Sequence, residues 1–94
     1  SYAYLKRLPV DFIKIDGAFV KNISEDDVDY ALVKSITEMG HFLNKKIVAE
    51  FVSTEEILEV VKDIGVDYVQ GYYLGRPVMI EDLEGSLEPS HQVA

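Results

Sequence analysis

The chain has 94 residues, 48% of them apolar and 28% charged, with a formal net charge of −8 and no cysteine. That length admits at most one small domain and falls far below the roughly 250 residues of a complete eight-stranded α/β barrel. The acidic balance excludes a surface for a nucleic-acid polymer, which needs clustered Lys and Arg, and the lack of cysteine excludes disulfide scaffolds and thiolate zinc sites.

No apolar run is long enough to span a bilayer and no secretory signal opens the sequence, so a cytoplasmic segment without membrane contact is expected. Residues Tyr2 to Arg7 have the pattern of a helix tail, stopped at Leu8-Pro9. A first strand is predicted at Asp11–Asp16, closed by Gly17. A helix follows over about 26–43, with Ser24 as N-cap, acidic residues in its first turn, and an apolar stripe of Val28, Leu32, Met39 and Leu43. Gly40 lowers its helix propensity, and Asn44 suits a left-handed C-terminal position. The second strand is Lys46–Glu50. The second helix spans about 54–64, with Ser53 and Glu56 as a capping box, Ile57, Val61 and Ile64 as its buried stripe, and Gly65 as its stop. The third strand is Asp67–Gly71. A short segment then leads through Tyr72 to Pro77, and a polar, loosely held tail is expected from Glu84, leaving 1–83 as the folded unit.

Strands alternating with helices predict a parallel α/β sheet with right-handed crossovers. Three parallel strands with two full helices do not cover both faces of such a sheet, so further structural partners are expected.

Side chains alternate along a strand. Ile13 and Ile15 form the face suited to the helices, which turns Lys14 and Asp16 to the other side. By the same parity Glu50 shares a face with Val48, and Gln70 with Tyr68. Each strand therefore ends on an inward polar residue, and the C-terminal rim is where parallel barrels place catalytic groups. Each residue also has a plain structural reading. Glu50 can simply pair with Lys14, Asp16 can be a turn residue before Gly17, and Gln70-Gly71 can be a hydrogen-bonded turn. Tyr72 and Tyr73 suit base stacking or packing, and Arg76 suits a phosphate or a structural ion pair. His41 and His91 lack metal-ligand spacing, with His41 expected on a helix surface. Glu25-Asp26-Asp27 reads as a helix start. There is no Gly-rich phosphate loop and no Ser-His-Asp set.

Several short motifs in register then carry a resemblance. Tyr4-Leu5-Lys6-Arg7-Leu8-Pro9-Val10-Asp11, Lys14-Ile15-Asp16-Gly17, Val48-Ala49-Glu50, Gln70-Gly71-Tyr72 and Arg76-Pro77 resemble the last third of EAL domains. The match runs to about Pro77. It implies a TIM-like (β/α)₈ barrel of which these strands are the sixth, seventh and eighth. It implies hydrolysis of the bacterial second messenger cyclic di-GMP to the linear dinucleotide, with Mg²⁺ or Mn²⁺ held by carboxylates and an Asn. On this resemblance Lys14 is the active-site lysine near the attacking water and phosphate. Glu50 is the late glutamate serving metal or water activation, Asp16 another active-site aspartate, and Gln70 a residue that holds the site together. Arg76 and Tyr72 are candidates for substrate contact.

The resemblance also places the Glu-Ala-Leu signature, the metal-binding Asn, a Glu and an Asp-Asp pair upstream of Ser1, and none of them is in this sequence. The 94 residues alone are therefore expected to be inactive and to bind no metal tightly. Within the chain, the usual family text Ala-Glu-Gly-Val-Glu-Thr is replaced by Ala49-Glu50-Phe51-Val52-Ser53-Thr54. A glycine and a second glutamate are lost, which leaves open a non-catalytic cyclic di-GMP receptor as the alternative to a phosphodiesterase. A third reading is a half-barrel that self-associates through open strand edges.

Overall fold

A computed structural model describes residues 11–71 and 74–84, with the side chains of 74–76 and 84 outside the description. The predicted helix tail at 2–7 and the predicted loose tail beyond 84 lie outside the described residues. In chain order the elements are β1 (Phe12–Ile15), α1 (Gly17–Val20), α2 (Asp27–Phe42), β2 (Lys46–Ala49), α3 (Glu55–Ile64), β3 (Tyr68–Gly71), β4 (Leu74–Met79) and α4 (Ile80–Glu84). One sheet runs in the order β1-β2-β3-β4. β1, β2 and β3 are parallel, in register Ile13 to Ile47, Lys14 to Val48 and Val48 to Tyr68. β4 returns antiparallel along β3, with a bulge between Val69 and Gly71.

The helix-facing side of the sheet forms the core. Ile15, Ile47, Ala49 and Val69 are buried there with Val33 of α2, Ile57, Leu58 and Val61 of α3, and Val78, Ile80 and Leu83 from β4 and α4. Fully burying an aliphatic side chain contributes about 1.5–3 kcal/mol. This contiguous set is what fixes which face of each strand points inward.

Helix ends follow local chemistry, with three corrections to the sequence reading. The N-cap of α2 is Asp26, not Ser24: its carboxylate accepts from the N–H groups of Val28 at 2.9 Å and Asp29 at 3.1 Å. For α3 the cap is Thr54, not Ser53, with Oγ1 accepting from Ile57 N at 3.2 Å. The buried stripe of α2 is Val33, Thr37 and Gly40, while the expected stripe members Val28 and Leu32 are exposed. Gly40 explains the rotation. A Cβ there would stand 2.5 Å from Ile47 Cδ1, so the helix brings its backbone onto β2 at that point, and its small residues face the sheet. At the C-termini, Asn44 takes φ 63°, the left-handed position anticipated for it, and Gly65, expected as a helix stop, takes φ 106°.

Thr37 gives an expected gain in stability. It is 1% exposed, and its Oγ1 has no hydrogen-bond partner. Replacing a buried unpaired hydroxyl by an apolar group of the same shape removes a desolvation penalty. Thr37→Val is expected to stabilise the protein by about 1 kcal/mol, a rise in thermal midpoint of roughly 5 °C. Thermal unfolding followed by circular dichroism measures it, and an unchanged or lower midpoint would contradict the assignment.

Candidate functional site at the strand ends

The opposite side of the sheet carries Lys14, Val48 and Tyr68 side by side, as the register dictates. Phe12 meets Tyr68 edge to face, ring centroids 5.5 Å apart, and these side chains together with Pro77 line an apolar hollow. One position beyond the last paired residues stand Asp16, Glu50 and Gln70. They line one open cleft of about 650 Å³ with Gly17, Ala18, Lys21, Phe51 and Gly71. Asp16, Glu50 and Gln70 thus come together at one end of the sheet, as strand alternation requires. Lys14 sits one step deeper and reaches the group through an ion pair, Nζ to Glu50 Oε2 at 3.8 Å.

The pair is partly solvated, with side-chain exposures of 57% and 35%. Exposed pairs of this kind contribute about 0–1 kcal/mol, so its presence does little for the fold. Asp16 does hold structure: its Oδ1 accepts from Ala18 N at 2.8 Å and caps α1, a short helix not foreseen in the sequence. Gln70 is half-buried, and its Oε1 is buried without a hydrogen-bond partner. An unsatisfied amide of this kind costs about 1–3 kcal/mol, and the residue that carries it lines the cleft.

The backbone around the cleft is tightly set. Glu50 N donates to Ile15 O at 3.1 Å and Val52 N to Gln70 O at 2.9 Å, so the segment 50–52 bridges all three parallel strands. Gly71 makes that approach possible. Its φ is 106°, and a Cβ on it would lie 2.9 Å from Val52 N and 3.0 Å from Val52 O. Because those atoms are backbone, Gly71→Ala is expected to cost about 2–4 kcal/mol. A urea titration gives the value; a loss under 1 kcal/mol would mean that the 50–52 segment yields easily.

Phe51 is the residue whose conformation sequence reasoning missed. Its φ is 64° and its exposure 56%. A non-glycine residue in this region costs roughly 1–2 kcal/mol. Gly17 admits it, since a Cβ on Gly17 would stand 2.5 Å from Phe51 Cβ. The available signal was the family text, which carries glycine at this position.

Among the described residues no three His, Cys, Asp or Glu side chains come together to hold a metal ion. Glu50 alone does not make such a site, so the described residues do not fit a metal by themselves. Tyr72 and the Arg76 side chain, the other two expected substrate contacts, lie outside the described residues. At the far end of the sheet, His41 is more than the surface residue expected. Its Nε2 lies 2.6 Å from Asp67 Oδ2, which also accepts from Ile47 N at 2.8 Å. That clamp ties the end of α2 to β2 and β3, away from the cleft. No helix among the described residues is long and apolar enough to cross a membrane.

Comparison with known proteins gives a consistent answer. The model of the family described as EAL domain matches residues 1–77. The chain is 51% identical over 77 residues, 82% of its length, to cyclic di-GMP phosphodiesterase PdeB of Shewanella oneidensis, and covers 9% of that protein. It is 42% identical over 94 residues, its whole length, to cyclic di-GMP phosphodiesterase PdeF of Escherichia coli K12, and covers 13% of it. Among solved structures, the PaMucR phosphodiesterase in its c-di-GMP complex superposes with a TM-score of 0.74 at 44% identity, over 88% of this chain and 34% of that one. The chain therefore spans only a small part of the relatives it matches, and its mixed α/β sheet corresponds to part of their TIM-like barrel.

Proposed function

The chain belongs to the EAL domain family, and on that footing we propose that it supplies the late strands and part of the catalytic rim of a cyclic di-GMP phosphodiesterase. The observation that carries this reading is the Lys14–Glu50 pair, whose Glu50 lines a cleft with Asp16 and Gln70. Hydrolysis of a phosphodiester needs a group that takes a proton from the attacking water. It also needs positive charge where the phosphoryl oxygens gain negative charge. Glu50 is the proton acceptor, and Lys14, beside it, stabilises the phosphoryl oxygens. Asp16, held by Ala18 N, and Gln70 orient the substrate and the water. The products are those of one P–O bond broken by water, leaving the linear dinucleotide. Mg²⁺ or Mn²⁺ in the whole protein would draw on ligands from outside the described residues, with Glu50 as one candidate. Tyr72 and Arg76 remain proposed substrate contacts.

A second reading rests on Phe51 and Ser53, which stand where the family text has glycine and glutamate. With that carboxylate gone, a receptor that binds cyclic di-GMP without turning it over is the alternative. The test is chromatographic detection of the linear dinucleotide, alongside calorimetric binding, in the full-length protein. Turnover supports the phosphodiesterase, binding without turnover supports the receptor, and neither would overturn both.

A further inference from the structure

Phe51 combines three properties that packing alone does not account for. It is a bulky residue in a left-handed backbone conformation, it is more than half exposed, and it lines the cleft that holds Asp16, Lys21, Glu50 and Gln70. Its position is also fixed. Glu50 N and Val52 N on either side are tied to β1 and β3, and Gly17 and Gly71 both leave the space that lets this segment lie close. An aromatic residue whose backbone is already fixed at a polar cleft loses less freedom when a flat ligand meets it. The same cleft is lined by a cation in Lys21 and by the Gln70 amide. An aryl face, a cation and an amide in one cleft match the parts of a nucleotide: base, phosphate and base edge.

We propose that Phe51 is a base-stacking wall of this cleft, and that it takes one purine base of the cyclic dinucleotide. The inference rests on the reading given under Proposed function and adds to it a ligand-binding residue where glycine would be the unstrained choice. Stacking between an aromatic side chain and a base is sequence-tolerant, because every base has a π-face. Phe51 therefore contributes affinity, and discrimination between bases falls to the polar groups around it.

The test compares Phe51→Leu, Phe51→Gly and Phe51→Trp in the full-length protein, with cyclic di-GMP as the titrant in calorimetry. Leucine keeps the apolar cover over Gly17 and loses the π-face. Glycine removes the ring and relieves the backbone, so its folding is not at risk. Affinity is expected to fall about tenfold in both, within the range of a single aromatic–base stack, and to be kept in Phe51→Trp. Where the protein turns cyclic di-GMP over, the loss should fall on KM with kcat little changed, since the ring touches no reacting atom. Equal affinity in Phe51→Leu and the unsubstituted protein would overturn the proposal. Tighter binding by Phe51→Gly would also overturn it, by showing that the ring obstructs the cleft. If the unsubstituted protein binds no cyclic di-GMP, the underlying reading falls and this inference with it, an outcome distinct from an unaffected substitution.

Discussion

Replacing Glu50 by glutamine is expected to lower the cyclic di-GMP hydrolysis proposed for the full-length protein by about 10²–10⁴-fold, the usual contribution of a positioned general base. Glutamine keeps the size and the polar contacts of the side chain but takes no proton from water. Lys14→Ala is expected to cost a similar factor, about 10²–10³, by removing positive charge from the phosphoryl oxygens. The two losses should not add in the double variant, because residues that act as a unit are strongly non-additive. Stability is the internal control. The Lys14–Glu50 pair is partly solvated at 3.8 Å, and breaking it should cost under about 1 kcal/mol. A large loss of rate with an almost unchanged thermal midpoint is therefore the expected pattern. Rates within threefold of the unsubstituted protein for Glu50→Gln would remove Glu50 from the proposed mechanism. A parallel collapse of the midpoint would show that the pair is structural.

Strand parity made the rim legible in the sequence because it follows from backbone geometry alone. Once Ile13 and Ile15 are assigned to the core, Lys14 and Asp16 must face the other way, and the same step places Glu50 and Gln70. The buried faces confirm that assignment for Ile15, Ile47, Ala49 and Val69. Three things were not legible, each for a physical reason. β4 was hidden because Gly75 and Pro77 argue against a strand; it forms as an edge strand, where proline is tolerated. The third strand, expected as an open edge, is consequently covered. The face of α2 was misjudged because apolar residues occur around much of that helix, and the deciding contacts belong to the small residues Thr37 and Gly40, which carry no hydrophobic signal. Its cap was misjudged because Ser24 and Asp26 are both good capping residues two positions apart, and only the observed bonds to Val28 N and Asp29 N choose between them. The gathering of Asp16, Glu50 and Gln70 in one cleft was legible, while the φ of Phe51 was not, since no local pattern demands a left-handed phenylalanine.

The 94-residue chain on its own is expected to self-associate at micromolar concentration. Among the described residues the sheet ends on β1 and β4; β4 carries Pro77, which donates no backbone hydrogen bond, so β1 is the edge open to pairing. An unpaired edge is a template for another chain. The face next to that edge is also uncovered, for Phe12 is 49% exposed although it packs edge to face on Tyr68. Half of a phenylalanine's area is about 100 Å², worth about 2–3 kcal/mol if removed from water at roughly 25 cal/mol per Å². Two chains meeting through this face would each bury it, and the open edge would add backbone hydrogen bonds. Sedimentation velocity across a concentration series should show a shift from monomer to dimer or larger species. Phe12→Lys should restore the monomer, because a lysine on an edge strand opposes pairing and its charge repels a second copy. In the unsubstituted chain, one sedimenting species of monomer mass at every concentration would show that the exposed ring and the open edge of β1 contribute too little to hold two copies together.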